Sequence, residues 1–129
     1  MGSHFHIPIY ARLDDEQTKY FLNKSNIILL ADGDEKKSPI DYSILNFNSF
    51  YKKFKIETIK HITLVIGSES IGISSNIRNF KKDNTIISSI KIPLCNTIES
   101  LNCAIAFAIL GYEIRKLIID YNHFNNLNK

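Results

Sequence analysis

The chain predicts an α/β domain, with a parallel sheet and helices on both faces, from three observations. Its apolar runs are short and rich in β-branched residues, polar or helix-patterned stretches separate them, and one long apolar helix follows the last run. A length of 129 residues with 44% hydrophobic and 22% charged residues suits one globular domain, and excludes a disordered, collagen-like or coiled-coil chain. Such a chain buries about two-thirds of the surface exposed on unfolding, so its core needs neither disulfide nor metal.

Taken in order, Asp14 to Leu22 begins with an acidic turn and continues into Tyr20, Phe21 and Leu22, which suits a short helix. Asn26 to Leu30 is an apolar strand ended by the turn residues Ala31-Asp32-Gly33-Asp34. From Ser38 to Phe54 the apolar residues are irregularly spaced, and one short helix is expected there. His61 to Ile66 is the clearest strand and runs directly into Gly67, with a helix expected beyond Gly72. Thr85 to Ile92 is a further strand, stopped by Pro93, which lacks the amide a sheet ladder needs.

The dominant helix is expected from Ser100 to about Asp120, with Leu101, Ile105, Ala108 and Tyr112 falling at i, i+4, i+7 and i+11. Ser100 has the chemistry of its N-cap. Because Cys103 to Leu110 is apolar all round, this helix should be buried on more than one side, within a larger core or against a second subunit. Domain organisation follows as one domain over residues 1–121 and an Asn-rich tail over 122–129.

Several functions are excluded or left unsupported. The longest uncharged apolar run, Leu101 to Leu110, is far shorter than the ~20 residues of a membrane span. Cys95 and Cys103 have neither zinc-ligand nor redox spacing, and no secretory signal pattern opens the chain, so an intracellular protein is expected. His4 and His6 alternate as on a strand but have no third ligand nearby, so no metal site is expected. A net charge of +3 permits a polyanionic partner without requiring one. Lys52, Lys53, Lys55 and Lys60, interleaved with Tyr51 and Phe54, suit either RNA phosphates and bases or a solvated helix face.

Two segments carry chemistry. The first is a strand running into Gly67-Ser68-Glu69-Ser70-Ile71-Gly72, the layout by which α/β proteins place ligands at the carboxyl ends of strands. It is not a phosphate-binding Walker loop, because Ile73-Ser74 stands where Lys and Ser or Thr would be needed. Gly67 and Gly72 also suit simple turn glycines. The second segment runs from Ile90-Lys91-Ile92-Pro93-Leu94 through a polar loop to Glu99-Ser100-Leu101-Asn102. An Asn early in an apolar helix must find partners for its amide, so its burial would suggest a ligand or a polar network.

In wording and spacing these segments resemble the SpoU/TrmH branch of the SPOUT methyltransferase superfamily. The family's second motif is similar to Leu64 through Ile73; its third is similar to Ile92-Pro93-Leu94 with Ile98-Glu99-Ser100-Leu101-Asn102, Ala104, Ala106 and Tyr112-Glu113. Gly2-Ser3, Phe5 and Ile7-Pro8-Ile9 are similar to the segment preceding them. The resemblance spans Gly2 to about Tyr121.

That resemblance implies an α/β-knot fold with a C-terminal trefoil knot, a homodimer joined through the C-terminal helix, and S-adenosylmethionine held by the knotted loops. It implies transfer of the cofactor's methyl group to a ribose 2′-hydroxyl of structured RNA, tRNA or rRNA. By motif match Glu69, Ser100 and Asn102 are the catalytic candidates, and Ile66, Gly67, Ile92, Leu94, Leu101 and Asn102 the cofactor-binding ones. Arg78, Lys81 and Lys82 follow the glycine loop, where an RNA substrate would arrive, and are the phosphate-binding candidates, beside the plainer reading of a solvated surface. The family's first motif, with the arginine credited as base, would lie before Met1, so an amino-terminally truncated domain is expected. The alternative is a catalytically inactive module of the same fold that binds RNA or dimerises.

Overall fold

The structure, a computed structural model, describes residues 9–31, 40–41, 52, 59–68, 70–92 and 102–127. Helix α1 spans Asp15–Leu22. Asp14 caps it reciprocally with Gln17: the Asp14 carboxylate accepts from the Gln17 amide at 2.8 Å, and the Gln17 side chain accepts from the Asp14 amide at 2.9 Å. Two otherwise unpartnered amides are thereby satisfied, and the acidic first turn meets the positive end of the helix dipole.

Strands β1 (Ile27–Ala31), β2 (Ile40–Asp41), β3 (Ile62–Ile66) and β4 (Ile86–Lys91) form one sheet in the order β2-β4-β1-β3. Every pairing is parallel: Ile27 stands opposite Ile62 and Ile86, and Ala31 opposite Ile66 and Ile90. β1 is therefore central, and Ile27, Ile28, Leu29 and Leu30 are all buried. An uninterrupted apolar run is what a parallel strand covered on both faces requires. Residues alternate between the faces, so Ile28 and Leu30 pack with Leu22 of α1 and with Ile73 and Ile77, while Ile27 and Leu29 pack with the last helix. A one-turn helix, α2 (Ser75–Arg78), connects β3 to β4 and supplies Ile77 to the first of these clusters.

The three predicted strands are present to within a residue or so at each end, as is the helix after Asp14. The helix expected within Ser38–Phe54 falls almost wholly outside the described residues, and Ile40–Asp41 at its start form the edge strand β2 instead. After Ser38-Pro39 that pair is drawn into the sheet by the open edge of β4.

The last helix, α3, spans Cys103–Leu127, so residues 122–127 of the predicted Asn-rich tail are helical. Helix propagation adds a hydrogen bond per residue once nucleated, and Asn disfavours it only mildly. A second apolar stripe, not the one read from periodicity, meets the sheet. Leu110, Ile114, Leu117 and Tyr121, spaced i, i+4, i+7 and i+11, meet Ile27, Leu29 and Ile90. The stripe predicted from periodicity points away: Ile105 is 52% and Tyr112 64% exposed, with Ala108 exposed between them and Ile119 two turns on at 52%. The helix is thus apolar on two opposite faces, one of which packs on the sheet among the described residues.

Candidate functional site

Parallel strands bring their carboxyl ends to one edge, and the glycine loop grows from that edge at the end of β3. Ile66 is half-buried there, in register with Ala31 of β1 and, across it, with Ile90 of β4. Ile92, one residue beyond β4, is half-buried at the same edge. Residues 67–73 then fold back on themselves. Ser68 and Gly72 exchange backbone hydrogen bonds at 3.3 and 2.9 Å, and the Ser68 hydroxyl accepts from the Ile71 amide at 3.1 Å. Gly72 has φ of +79°, a conformation that favours glycine.

Gly67 is dictated by a different constraint. A Cβ there would lie 2.6 Å from the carbonyl oxygen of Gly72 and closer still to the Gly72 carbon and the Ile73 nitrogen. Both predicted turn glycines are therefore structural necessities of the loop. Its exit is held by α1: the Asp15 carboxylate accepts from Asn76 Nδ2 at 3.0 Å and from the Ser74 hydroxyl at 3.4 Å, and Ser74 caps α2 by accepting from the Ile77 amide. Sequence reasoning did not single out Asp15; its position in the acidic first turn of α1 was the available signal. Arg78 stays beside the loop, its Nη2 being the nearest atom to a Cβ built on Gly72, at 3.7 Å.

Asn102 is the N-cap of α3. Its Oδ1 accepts from the Ala104 amide at 2.8 Å, and its carbonyl accepts the first helical bond from Ala106 at 2.9 Å. The cap expected at Ser100 is thus supplied by Asn102, which is exposed rather than buried within the helix. An exposed cap explains an Asn before an apolar helix without a ligand. With Oδ1 accepting at the cap, the two Nδ2 donors of Asn102 face no such demand and could serve a ligand. Glu69, Leu94, Ser100 and Leu101 lie outside the described residues.

The remaining phosphate candidates are elsewhere. Asn79 to Thr85 lead the chain back to the start of β4, so Lys81 and Lys82 stand at the amino edge of the sheet, a strand length or about 16 Å from the glycine loop. There Lys82 Nζ donates to the backbone carbonyl of Asn23, just before β1. Arg78 and the two lysines are adjacent in sequence and serve opposite edges.

At the carboxyl edge the half-buried Ile66 and Ile92 thus stand at the ends of β3 and β4, on either side of β1. Among the described residues, no group of His, Cys, Asp and Glu could hold a metal ion, and no helix is long and apolar enough to cross a membrane. The family model described as the SpoU rRNA Methylase family matches residues 1–112, ending within the first half of α3. No curated protein and no solved structure shows a significant match to the chain.

Proposed function

Since the chain belongs to the SpoU rRNA methylase family, whose general activity is RNA methylation, we propose that it is an S-adenosylmethionine-dependent 2′-O-ribose methyltransferase acting on tRNA or rRNA. The observation carrying this reading is the glycine loop at the carboxyl edge of a parallel sheet, the edge at which β4 also ends, one strand away across β1. Ligands of open α/β sheets bind at that edge.

In this reading the backbone at Ile66, Gly67, Ile92, Leu94 and Leu101 holds the adenosine, with the Nδ2 donors of Asn102 at one polar end. S-adenosylmethionine supplies an electrophilic sulfonium methyl group. Once bound, the cofactor would give that methyl group to the ribose O2′, with S-adenosylhomocysteine as the leaving group and the hydroxyl proton passing to a base. Glu69 and Ser100 orient the ribose, and the closed loop from Gly67 to Ile73 fixes the approach. Positioning of this kind supplies several kcal/mol of barrier reduction without new covalent chemistry. The trefoil knot and a homodimer through α3 belong to the same proposal, and the exposed stripe Ile105, Ala108, Tyr112 and Ile119 supports the second of these.

The test is calorimetric titration with S-adenosylhomocysteine, followed by transfer of labelled methyl from S-adenosylmethionine to bulk tRNA and rRNA. Labelled product resistant to alkaline cleavage identifies the 2′-oxygen, because methylation removes the nucleophile that cleavage uses. Saturable binding and a resistant label are expected, and Glu69→Ala should lower transfer with little effect on stability. Cofactor binding without transfer to any RNA would instead favour the inactive RNA-binding module.

A further inference from the structure

The amino edge of the sheet, opposite the glycine loop, collects residues that no part of the proposed reaction uses. Asn26 ties the strand starts together: its Oδ1 accepts from the amides of Lys60 and His61, and its backbone carbonyl accepts from Ile86. Thr85 bonds the Ser25 carbonyl, and Lys82 the Asn23 carbonyl. Lys24 and Lys60 are thereby set on the same edge as Lys81 and Lys82, and all four are exposed. Lys81 and Lys82, with Asp83, Thr85 and Ile87, line a groove of about 630 Å³ on the face that carries α1.

Lys24, Lys60, Lys81 and Lys82 share this edge with Asp83. Neither Asp83 nor any other described carboxylate pairs with these lysines. An aromatic ring stands with them. Lys24 Nζ sits 4.3 Å from the centroid of the Tyr20 ring, which Phe21 meets edge-on at 5.3 Å. Tyr20 is 59% exposed, so an orienting neighbour and a cation hold a ring that remains open to solvent.

Lysines unpaired with any described carboxylate, beside a held, exposed aromatic ring, are the elements of a surface for an RNA strand: phosphates against ammonium groups, one base against the ring. The geometry points to a second RNA-binding surface at the amino edge, formed by Lys24, Lys60, Lys81, Lys82 and Tyr20. It grips the body of the RNA a strand length away from the edge where the methyl group is transferred. This inference rests on RNA as the substrate and is independent of the transfer chemistry.

The test compares the full chain with the triple variant Lys24→Gln/Lys60→Gln/Lys81→Gln, sparing Lys82 because it also ties down Asn23. Binding of a labelled single-stranded RNA of about 16 nucleotides is followed by fluorescence anisotropy across salt concentrations. Loss of three phosphate contacts should weaken binding at least ~10-fold and flatten the slope of log affinity against log salt by about 2. Tyr20→Leu should weaken binding about fivefold or more with the slope unchanged. S-adenosylhomocysteine affinity and the melting temperature should be the same throughout.

A triple variant that binds RNA with the original affinity and slope overturns the inference, as does weaker binding with an unaltered slope. A parent chain that binds no RNA also overturns it. Failure of the proposed reaction reads differently, as no cofactor binding or no methyl transfer in a chain whose RNA affinity still depends on these lysines.

Discussion

Gly72 lies so close behind Gly67 that the two backbones leave no room for a side chain at position 67. The glycine loop is locked by this contact, by the paired backbone bonds of Ser68 and Gly72, and by the left-handed conformation of Gly72. Gly67→Ala forces the loop to open, because the clash is with backbone and cannot be relieved by a rotamer change. A destabilisation of about 1–3 kcal/mol is expected in urea denaturation, together with loss of S-adenosylhomocysteine binding. An alanine variant with parental stability would show that the loop is not closed in this way.

Asn102 combines a cap with a candidate ligand, and two substitutions separate them. Asn102→Asp keeps the oxygen that accepts from Ala104 and places a negative charge at the positive end of α3, so stability should hold or rise slightly. It removes the Nδ2 donors, so cofactor affinity should fall. Asn102→Ala removes both and should cost about 1 kcal/mol of stability in addition. Equal cofactor affinity in the parent and the Asp variant, by calorimetry, would reduce Asn102 to a cap.

Ser25, buried just before β1, shares a hydrogen bond with the Thr63 hydroxyl on the adjacent strand β3. Ser25→Ala leaves Thr63 without this partner and should destabilise the fold by about 1–3 kcal/mol. Removing both hydroxyls in Ser25→Ala/Thr63→Val should recover part of that loss, since neither is then left unsatisfied. Simple additivity in thermal unfolding would mean that the two hydroxyls do not interact.

The outward stripe of α3 predicts the assembly state. Ile105→Asp/Tyr112→Asp places two charges at the centre of the proposed subunit contact while leaving Leu110, Ile114 and Leu117 on the sheet. Light scattering should show a dimer for the parent and a monomer of unchanged helical content for the variant. A parental chain that is monomeric at micromolar concentration would sink the contact.

Much of this fold is legible in the residues. Ile27 to Leu30 reads as a strand covered on both sides because no polar residue interrupts it, and Pro93 and the acidic turn at Asp14 mark real boundaries. The loop glycines are legible as positions and not as causes, since the contact between Gly67 and Gly72 exists only once the loop has closed. Periodicity found the stripe through Ile105 and Tyr112 but could not say which side met the sheet, because the helix has two apolar faces and either fits the same spacing. Lys81 and Lys82 follow Arg78 closely in the sequence and yet stand at the opposite edge of the sheet. The chain between parallel strands must return to the edge where it began, so a few residues of sequence became the length of a strand.

The central position of β1 also governs how the chain is made. Its two neighbours, β3 and β4, are both encoded downstream, and Ile86, the partner of Ile27, is synthesised roughly sixty residues later. At a ribosomal rate of about 5–20 residues per second, this apolar strand waits on the order of 3–12 seconds for the partner that closes its second edge. Throughout that interval Ile27 to Leu30 is an adhesive segment with open backbone on at least one side, and the nascent protein depends on whatever shields it until β4 arrives.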